Sequence, residues 1–81
     1  MAKQTVAWVF NELHRLSLFE EANNLLRDAK EKGKNHCGAR EIVEALTAAG
    51  FPGNKLEVLE RLGYKKDRDS IIATLKKEGL L

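Results

Sequence analysis

One short pattern recurs three times in the second half of the chain: a leucine, three further residues, a glycine and then an apolar residue. It occurs at Leu46 to Gly50-Phe51, at Leu59 to Gly63-Tyr64 and at Leu75 to Gly79-Leu80. A glycine that follows a helix adopts the left-handed backbone conformation without a Cβ clash, and the next apolar residue then packs back on the leucine. The pattern therefore predicts three helices that end at these glycines.

The length and composition of the chain limit its architecture. With 81 residues, the sequence predicts a single domain, residues 1–81, with one modest core. Apolar residues make up 43% of the chain and charged residues 32%, which is typical of a soluble globular helical protein. A ligand pocket of several hundred Å³ would occupy much of so small a core. We therefore expect a protein that is not an enzyme and that holds no cofactor.

The charge balance limits the kind of partner. Lys and Arg number 14 and Asp and Glu 12, so the net charge of +2 is too balanced for a general nucleic-acid coat or a membrane-surface peptide. Any basic surface that binds nucleic acid must therefore be a local cluster of Lys and Arg. Cys37 is the only cysteine, which excludes an internal disulfide and indicates a cytoplasmic location. Because we find no signal-peptide pattern and no apolar run long enough to cross a bilayer, we expect no membrane partner.

A first helix is predicted from Thr5 to Leu16. Apolar residues recur there at steps of three and four, which places them on one helix face: Val6, Val9, Phe10, Leu13 and Leu16. Trp8 lies off this stripe. Since large apolar side chains are mostly buried, we expect Trp8 to contact a second neighbour in the core. The alternative is an exposed aromatic anchor for a protein partner.

A second helix is predicted to begin at Ser17 and to end before Gly33. Ser17 and Glu20 have the spacing of a capping box, in which each side chain satisfies a backbone N–H of the first turn. The apolar face of this helix comprises Leu18, Ala22, Leu25, Leu26 and Ala29. The short joint at Ser17 predicts an antiparallel hairpin of the two helices, and a polar loop follows at residues 32–38.

Three more helices are predicted in the rest of the chain, over Ala39–Ala49, Lys55–Leu62 and Arg68–Glu78. Asn54 has the position of an N-cap for the second of them, and Asp67 or Asp69 for the third. No segment alternates apolar and polar residues with a period of two, so no strand is expected. The predicted fold class is all-α: a small bundle of about five helices, in which an N-terminal helical hairpin packs on a C-terminal three-helix unit.

Neither a nucleophile nor a metal site stands out. Cys37 precedes a predicted helix and follows His36, but adjacent loop residues rarely point at one another, and no Asn or Asp has the spacing of an orienting group. We therefore interpret Cys37 as a structural thiol. One cysteine with His14 and His36 lacks the paired spacing of zinc ligands, so no metal is expected.

The last two predicted helices have the layout of a helix-turn-helix. Segment 58–64 contains Arg61-Leu62-Gly63-Tyr64, and segment 71–81 contains Lys77-Glu78-Gly79-Leu80. These motifs resemble the second and third helices of helix-turn-helix and winged-helix repressors such as the SOS repressor family, where an Arg-Leu-Gly-aromatic turn precedes the recognition helix. The resemblance implies a small regulator that contacts duplex DNA through its last helix.

Helix geometry predicts which residues would face DNA. If the apolar residues of the last helix face the core, the residues that project on the opposite side are Ser70, Ala73, Thr74 and Lys77. Additional phosphate contacts are predicted for Lys65, Lys66 and Arg68. A homodimer would present two such helices about 34 Å apart. The alternative interpretation of the basic cluster is a solvated turn, because Asp67 and Asp69 would repel phosphates.

A second resemblance points to protein binding. Ala49-Gly50-Phe51, followed by two short helices, is similar to the loop of ubiquitin-associated three-helix domains, which present an apolar patch on a Met-Gly-Phe turn; Ala49 stands where that family carries methionine. This resemblance implies an adaptor or inhibitor that binds a larger protein. Its aromatic anchors would be Trp8, Phe51 and Tyr64. DNA contact is our leading hypothesis from the sequence, and protein binding is the alternative.

Overall fold

Five helices make up most of the structure, a computed structural model that describes residues 4–64, 68–77 and 79. Within these residues the helices are α1 (Val6–Arg15), α2 (Phe19–Lys32), α3 (Ala39–Ala48), α4 (Lys55–Arg61) and α5 (Arg68–Lys77). The observed ranges confirm the predicted all-α fold class and differ from the predicted ranges only at the helix ends.

A two-stranded antiparallel ribbon joins the segment before α1 to the connection between α2 and α3. Its strands are β1 (Gln4–Thr5) and β2 (His36–Cys37), with Gln4 opposite Cys37 and Thr5 opposite His36. The expectation that the chain contains no strand was therefore wrong. Strands of two residues are too short to show a period-two pattern, and their pairing depends on contact between distant segments.

The core lies between the α1–α2 hairpin and the later helices. Helix α1 packs mainly on α2, and α2 packs on α3, which confirms the predicted hairpin and its packing on the C-terminal part of the chain. The most deeply buried large side chains come from α1, α2, α3, α5 and the end of α4: Val9, Leu13, Leu25, Ile42, Val43, Leu46, Leu62 and Leu75. One continuous apolar cluster therefore holds both parts together.

The recurrent leucine-glycine pattern ends helices as predicted. Gly50 has a φ angle of 74°, and the N–H of Phe51 donates a hydrogen bond to the carbonyl oxygen of Leu46 at 2.9 Å. The same arrangement recurs after α4 at Gly63, whose φ angle is 88°. Gly79, after α5, has a φ angle of 73°, and the residue that follows it lies outside the described part of the chain. These bonds satisfy carbonyl groups that the helix leaves unpaired.

The end of α1 has this same arrangement, with a serine in place of glycine. Ser17 has a φ angle of 62°, its N–H donates to the carbonyl oxygen of His14 at 3.0 Å, and the N–H of Leu18 donates to that of Leu13 at 2.9 Å. Leu18 is the N-cap residue of α2, without a side-chain hydrogen bond. The predicted capping box at Ser17 was therefore wrong, because this serine ends α1 instead of beginning α2. The repeated spacing Leu13 to Ser17-Leu18 was the available signal.

We expect opposite effects from exchanging glycine and a side chain at two of these helix ends. Ser17→Gly should raise the free energy of unfolding by about 1 kcal/mol, because a side chain is strained in the left-handed region. Gly50→Ala should lower it by about 1 kcal/mol for the same reason, since an added Cβ would have open space among the described residues. Urea denaturation of both variants measures the two changes in the free energy of unfolding. A loss of stability in Ser17→Gly would contradict this account.

The predicted cap of α4 is confirmed. The Oδ1 atom of Asn54 accepts hydrogen bonds from the N–H groups of Leu56 at 2.9 Å and Glu57 at 3.3 Å. Of the two residues predicted to cap α5, Asp69 lies inside the first helical turn, so it is not the N-cap. The other, Asp67, lies outside the described residues.

Candidate interaction surfaces

Helix α5 has the two-sided character that the DNA hypothesis requires. Ile71 and Leu75 are buried, with 7% and 1% of their surfaces exposed, whereas Ala73 and Lys77 are exposed. Lys76, which was not among the predicted DNA-binding residues, is exposed next to Lys77. The C-terminal part of α5 therefore offers two lysine ammonium groups to solvent.

The other residues of the predicted DNA surface have no described side chain. Lys65 and Lys66 lie outside the described residues. Arg68, Ser70 and Thr74 belong to α5, but their side chains also lie outside the described part of the structure. The structure therefore places Ala73 and Lys77 on an exposed helix face, and the rest of the predicted set stays a prediction.

The turn on which the helix-turn-helix resemblance depends is only partly described. Helix α4 ends at Arg61, residues 62–64 leave the helix, and α5 is described from Arg68. Residues 65–67 lie outside the described part of the chain. The resemblance at this turn therefore stays a prediction.

Tyr64 is a structural residue in this fold. Only 4% of its surface is exposed, its Oη donates a hydrogen bond to the carbonyl oxygen of Cys37 at 2.8 Å, and it accepts one from the N–H of Gln4 at 3.4 Å. Gln4 and Cys37 are partners in the β1–β2 ribbon. Tyr64 therefore attaches this ribbon to the end of α4. The prediction of an exposed anchor at Tyr64 was wrong, because the ribbon and the core cover its ring.

The buried thiol of Cys37 has the opposite character to a nucleophile. The residue is 2% exposed, and burial together with the carboxylate of Glu41 raises the pKa of the thiol to about 11. A reactive cysteine needs a lowered pKa and access to solvent. Within the described ranges, no three His, Cys, Asp or Glu side chains are grouped to hold a metal ion. No helix there is long and apolar enough to cross a bilayer.

Trp8 and Phe51 differ in their exposure. Trp8 is 39% exposed, so the expectation that it is buried in the core was wrong. At about 100° per residue it lies roughly 130° from the centre of the buried stripe of α1, on the side away from the core. Phe51 is half-buried and packs against the core. Of the predicted aromatic anchors, Trp8 is therefore the most accessible.

Three rings form an aromatic cluster, defined here as Phe10, His14 and Phe19. The centroids of Phe10 and His14 are 4.5 Å apart, and those of His14 and Phe19 are 5.0 Å apart in an edge-to-face arrangement. Phe10 packs against the core, whereas 52% of the surface of Phe19 is exposed. Phe19 was not among the residues predicted to bind a partner. The available signal was its position in α2, roughly 90° from the centre of the buried face.

An open groove lies at the opposite end of the same hairpin, between the start of α1 and the second half of α2. Its volume is about 420 Å³. The residues that line it are Thr5, Val6, Ala7, Leu26, Ala29, Lys30, Lys34 and Asn35. Its wall is apolar along Ala7, Leu26 and Ala29, and two lysines stand at its edge. We refer to it as the hairpin groove.

Comparisons of the chain with protein-family models, with curated proteins and with solved structures found no match.

Proposed function

We propose that this chain is a protein-interaction module that binds a protein partner through the aromatic cluster on its α1–α2 hairpin. The observation that carries the proposal is the exposure of Phe19, a large apolar side chain with 52% of its surface in contact with solvent. Aromatic residues are enriched among the side chains that dominate binding energy. Burial of this ring by a partner would remove the largest exposed apolar group of α2 from water.

The ring contacts support the proposal because they restrict the orientations of Phe19. His14 contacts the ring of Phe19 edge-to-face, and Phe10 contacts His14 and packs against the core. A side chain that is already ordered loses little rotational freedom when it binds. The cluster therefore presents a preorganised anchor, as effective binding surfaces do.

The available burial energy is large enough for one dominant contact. A phenylalanine buries 150–250 Å² in total, so roughly 100 Å² of Phe19 is left for a partner to cover. At about 25 cal/mol per Å², this area corresponds to roughly 2–3 kcal/mol. Removal of the ring should therefore weaken binding by about 30-fold or more.

Selection of peptides from a random display library on the purified chain tests this function without knowledge of the partner. We expect the recovered peptides to bind the Phe19→Ala variant at least tenfold more weakly than the unmodified chain. Trp8→Ala is a matched control, since it removes an exposed aromatic ring from the same hairpin outside the aromatic cluster. Peptides that depend on Trp8 and ignore Phe19 would place the binding surface elsewhere, and recovery of no peptide would contradict the proposal.

DNA binding through α5 is the second candidate, and a specific observation favours it. Residues 61–81 contain six of the 14 Lys and Arg but three of the 12 Asp and Glu, so this segment carries the net positive charge of the chain. Lys76 and Lys77 are exposed on α5, next to Ala73. A local basic surface of this kind attracts phosphate groups.

A mobility-shift experiment with duplex DNA tests this second candidate. DNA binding should weaken steeply as the salt concentration rises from about 50 to about 200 mM, because contacts to phosphate groups release counterions. It should also weaken in Lys65→Ala, Lys66→Ala and Lys77→Ala. Lys32→Ala is the control, because this exposed lysine on α2 already pairs with Asp28 at 3.2 Å. Equal loss in the control, or no retardation at low salt, would exclude a specific role for α5.

A further inference from the structure

We infer that the partner of the aromatic cluster is a second copy of this chain, with Phe19 of each copy inserted into the hairpin groove of the other. This inference rests on the proposed function, since it uses the same exposed ring. It adds a receptor surface, the hairpin groove, that the proposed function does not require.

The hairpin groove has the size and chemistry to accept a phenyl ring. Its volume of about 420 Å³ lies within the range of about 300–1,000 Å³ that proteins use to hold small apolar ligands. Its wall contains Ala7, Leu26 and Ala29. Leu26 is half-buried and packs against the core, so the wall is an extension of the core surface. A ring placed there would contact the aliphatic side chains of this wall on one face.

The positions of ring and groove on α2 are suited to a two-fold symmetric pair. Phe19 lies at the first residue of α2, and Leu26 lies seven residues later, which is close to two full turns. The two residues therefore share one face of the helix, roughly 10 Å apart along its axis. When two copies of α2 pack antiparallel, Phe19 of each copy reaches the groove of the other. Such a contact is closed and leaves no unpaired ring or groove.

The charges around ring and groove favour the same antiparallel arrangement. Glu20 is exposed next to Phe19, whereas Lys30 and Lys34 are exposed at the edge of the hairpin groove. Across the described residues, no ion pair engages any of these three side chains. The antiparallel pair places Glu20 of each copy near Lys30 and Lys34 of the other. A parallel pair would place like charges together, so the charge pattern specifies the orientation.

The size of the surface predicts a weak dimer. The outer face of the hairpin extends over the length of α2, about 21 Å, and across two helices, about 20 Å. Such a face has an area of roughly 400 Å² per copy, which is below that of standard stable interfaces and in the range of weak, transient complexes. We therefore expect a dissociation constant in the micromolar range, and the pair should form at concentrations of roughly 10–500 µM.

Sedimentation equilibrium of the full chain over that concentration range gives the first test. The mass should rise from 9.1 kDa towards twice this value as concentration increases. Phe19→Ala should weaken self-association at least tenfold, and its circular dichroism spectrum should match that of the unmodified chain because the residue is exposed. A mass of 9.1 kDa at every concentration would overturn the inference, as would a dimer unaffected by Phe19→Ala.

A charge-exchange experiment tests the orientation directly. Glu20→Lys alone, and Lys30→Glu with Lys34→Glu in a second variant, should each remain monomeric because like charges meet at both contacts. An equimolar mixture of the two variants should recover the dimer, since opposite charges are restored at both contacts. The control is Lys76→Glu, which reverses an exposed charge on α5, outside the hairpin, and should leave the mass unchanged.

The outcomes separate this inference from the proposed function. Recovery of the dimer only in the mixture supports the antiparallel pair, and dimerisation of either variant alone overturns it. If the chain is monomeric but display-selected peptides still require Phe19, the partner is a different protein and the proposed function stands. If the chain is monomeric and the peptides ignore Phe19, both proposals fail.

Discussion

Tyr64→Ala is expected to lower the free energy of unfolding by about 3–5 kcal/mol, as is usual when a large buried aromatic ring is removed. The ring is 4% exposed and belongs to the continuous core cluster. Its hydroxyl also connects the end of α4 to the β1–β2 ribbon through Cys37 and Gln4. The substitution therefore removes packing and leaves two backbone groups without their partner. Chemical denaturation measures the total loss.

Tyr64→Phe separates the hydrogen bonds from the packing. This variant keeps the ring, so we expect a smaller loss of about 1–2 kcal/mol from the carbonyl group of Cys37, which is buried. Amide hydrogen exchange in β1 and β2 should accelerate in Tyr64→Phe, while exchange in the centre of α2 should be unchanged. If Tyr64→Phe is as stable as the unmodified chain, the hydroxyl does not hold the ribbon. Equal losses in the two variants would mean that the ring itself contributes little.

Alkaline pH is expected to destabilise the fold in a defined window. Burial, with a smaller contribution from Glu41, raises the pKa of the Cys37 thiol from 9.0 to about 11. Burial and the neighbouring Cys37 raise the pKa of Tyr64 from 10.0 to about 12. Both groups are neutral when protonated, so the unfolded chain releases its protons first as the pH rises. Their stabilising contribution is therefore complete below pH 9 and is lost between pH 9 and pH 12.

The expected loss is roughly 3 kcal/mol for each group, because one pKa unit corresponds to about 1.4 kcal/mol. Denaturation curves measured at intervals from pH 7 to pH 12 give the profile of the free energy of unfolding against pH. Cys37→Ala should flatten the profile between pH 9 and pH 11, and Tyr64→Phe should flatten it between pH 10 and pH 12. A profile that is the same in both variants and in the unmodified chain would show that other groups control the alkaline transition.

Most helix boundaries could be predicted from the sequence because their signals are local. The leucine-glycine pattern predicted the ends of α3, α4 and α5, and Asn54 predicted the start of α4. Each depends on hydrogen bonds between residues a few positions apart, which any chain with these residues can form. Ser17 was misassigned because serine favours an N-cap, whereas the surrounding chain places it in the left-handed conformation that glycine usually adopts.

The exposure of the aromatic residues could not be predicted in the same way. Trp8 was expected in the core and Tyr64 at the surface, and the structure reverses both. Periodicity shows that Trp8 lies off the buried stripe, but it does not show whether another segment covers that side of α1. Tyr64 is covered because Gln4 and Cys37 pair beside it, and these residues are distant in sequence. Phe19 is exposed because α1 and α2 leave its flank uncovered.

The sequence by itself determined the number of helices, most of their ends and most of the buried face of α1, α2 and α3, because these follow from residue spacing and from local hydrogen bonds. Only the tertiary structure decided which apolar side chains stay in contact with water. That choice depends on how the helices cross and on which distant segments meet, as with the ribbon that covers Tyr64 and the hairpin that exposes Phe19. The proposed binding surface was also decided by the tertiary structure, since it consists of a ring and a groove brought to one face by the packing of α1 on α2.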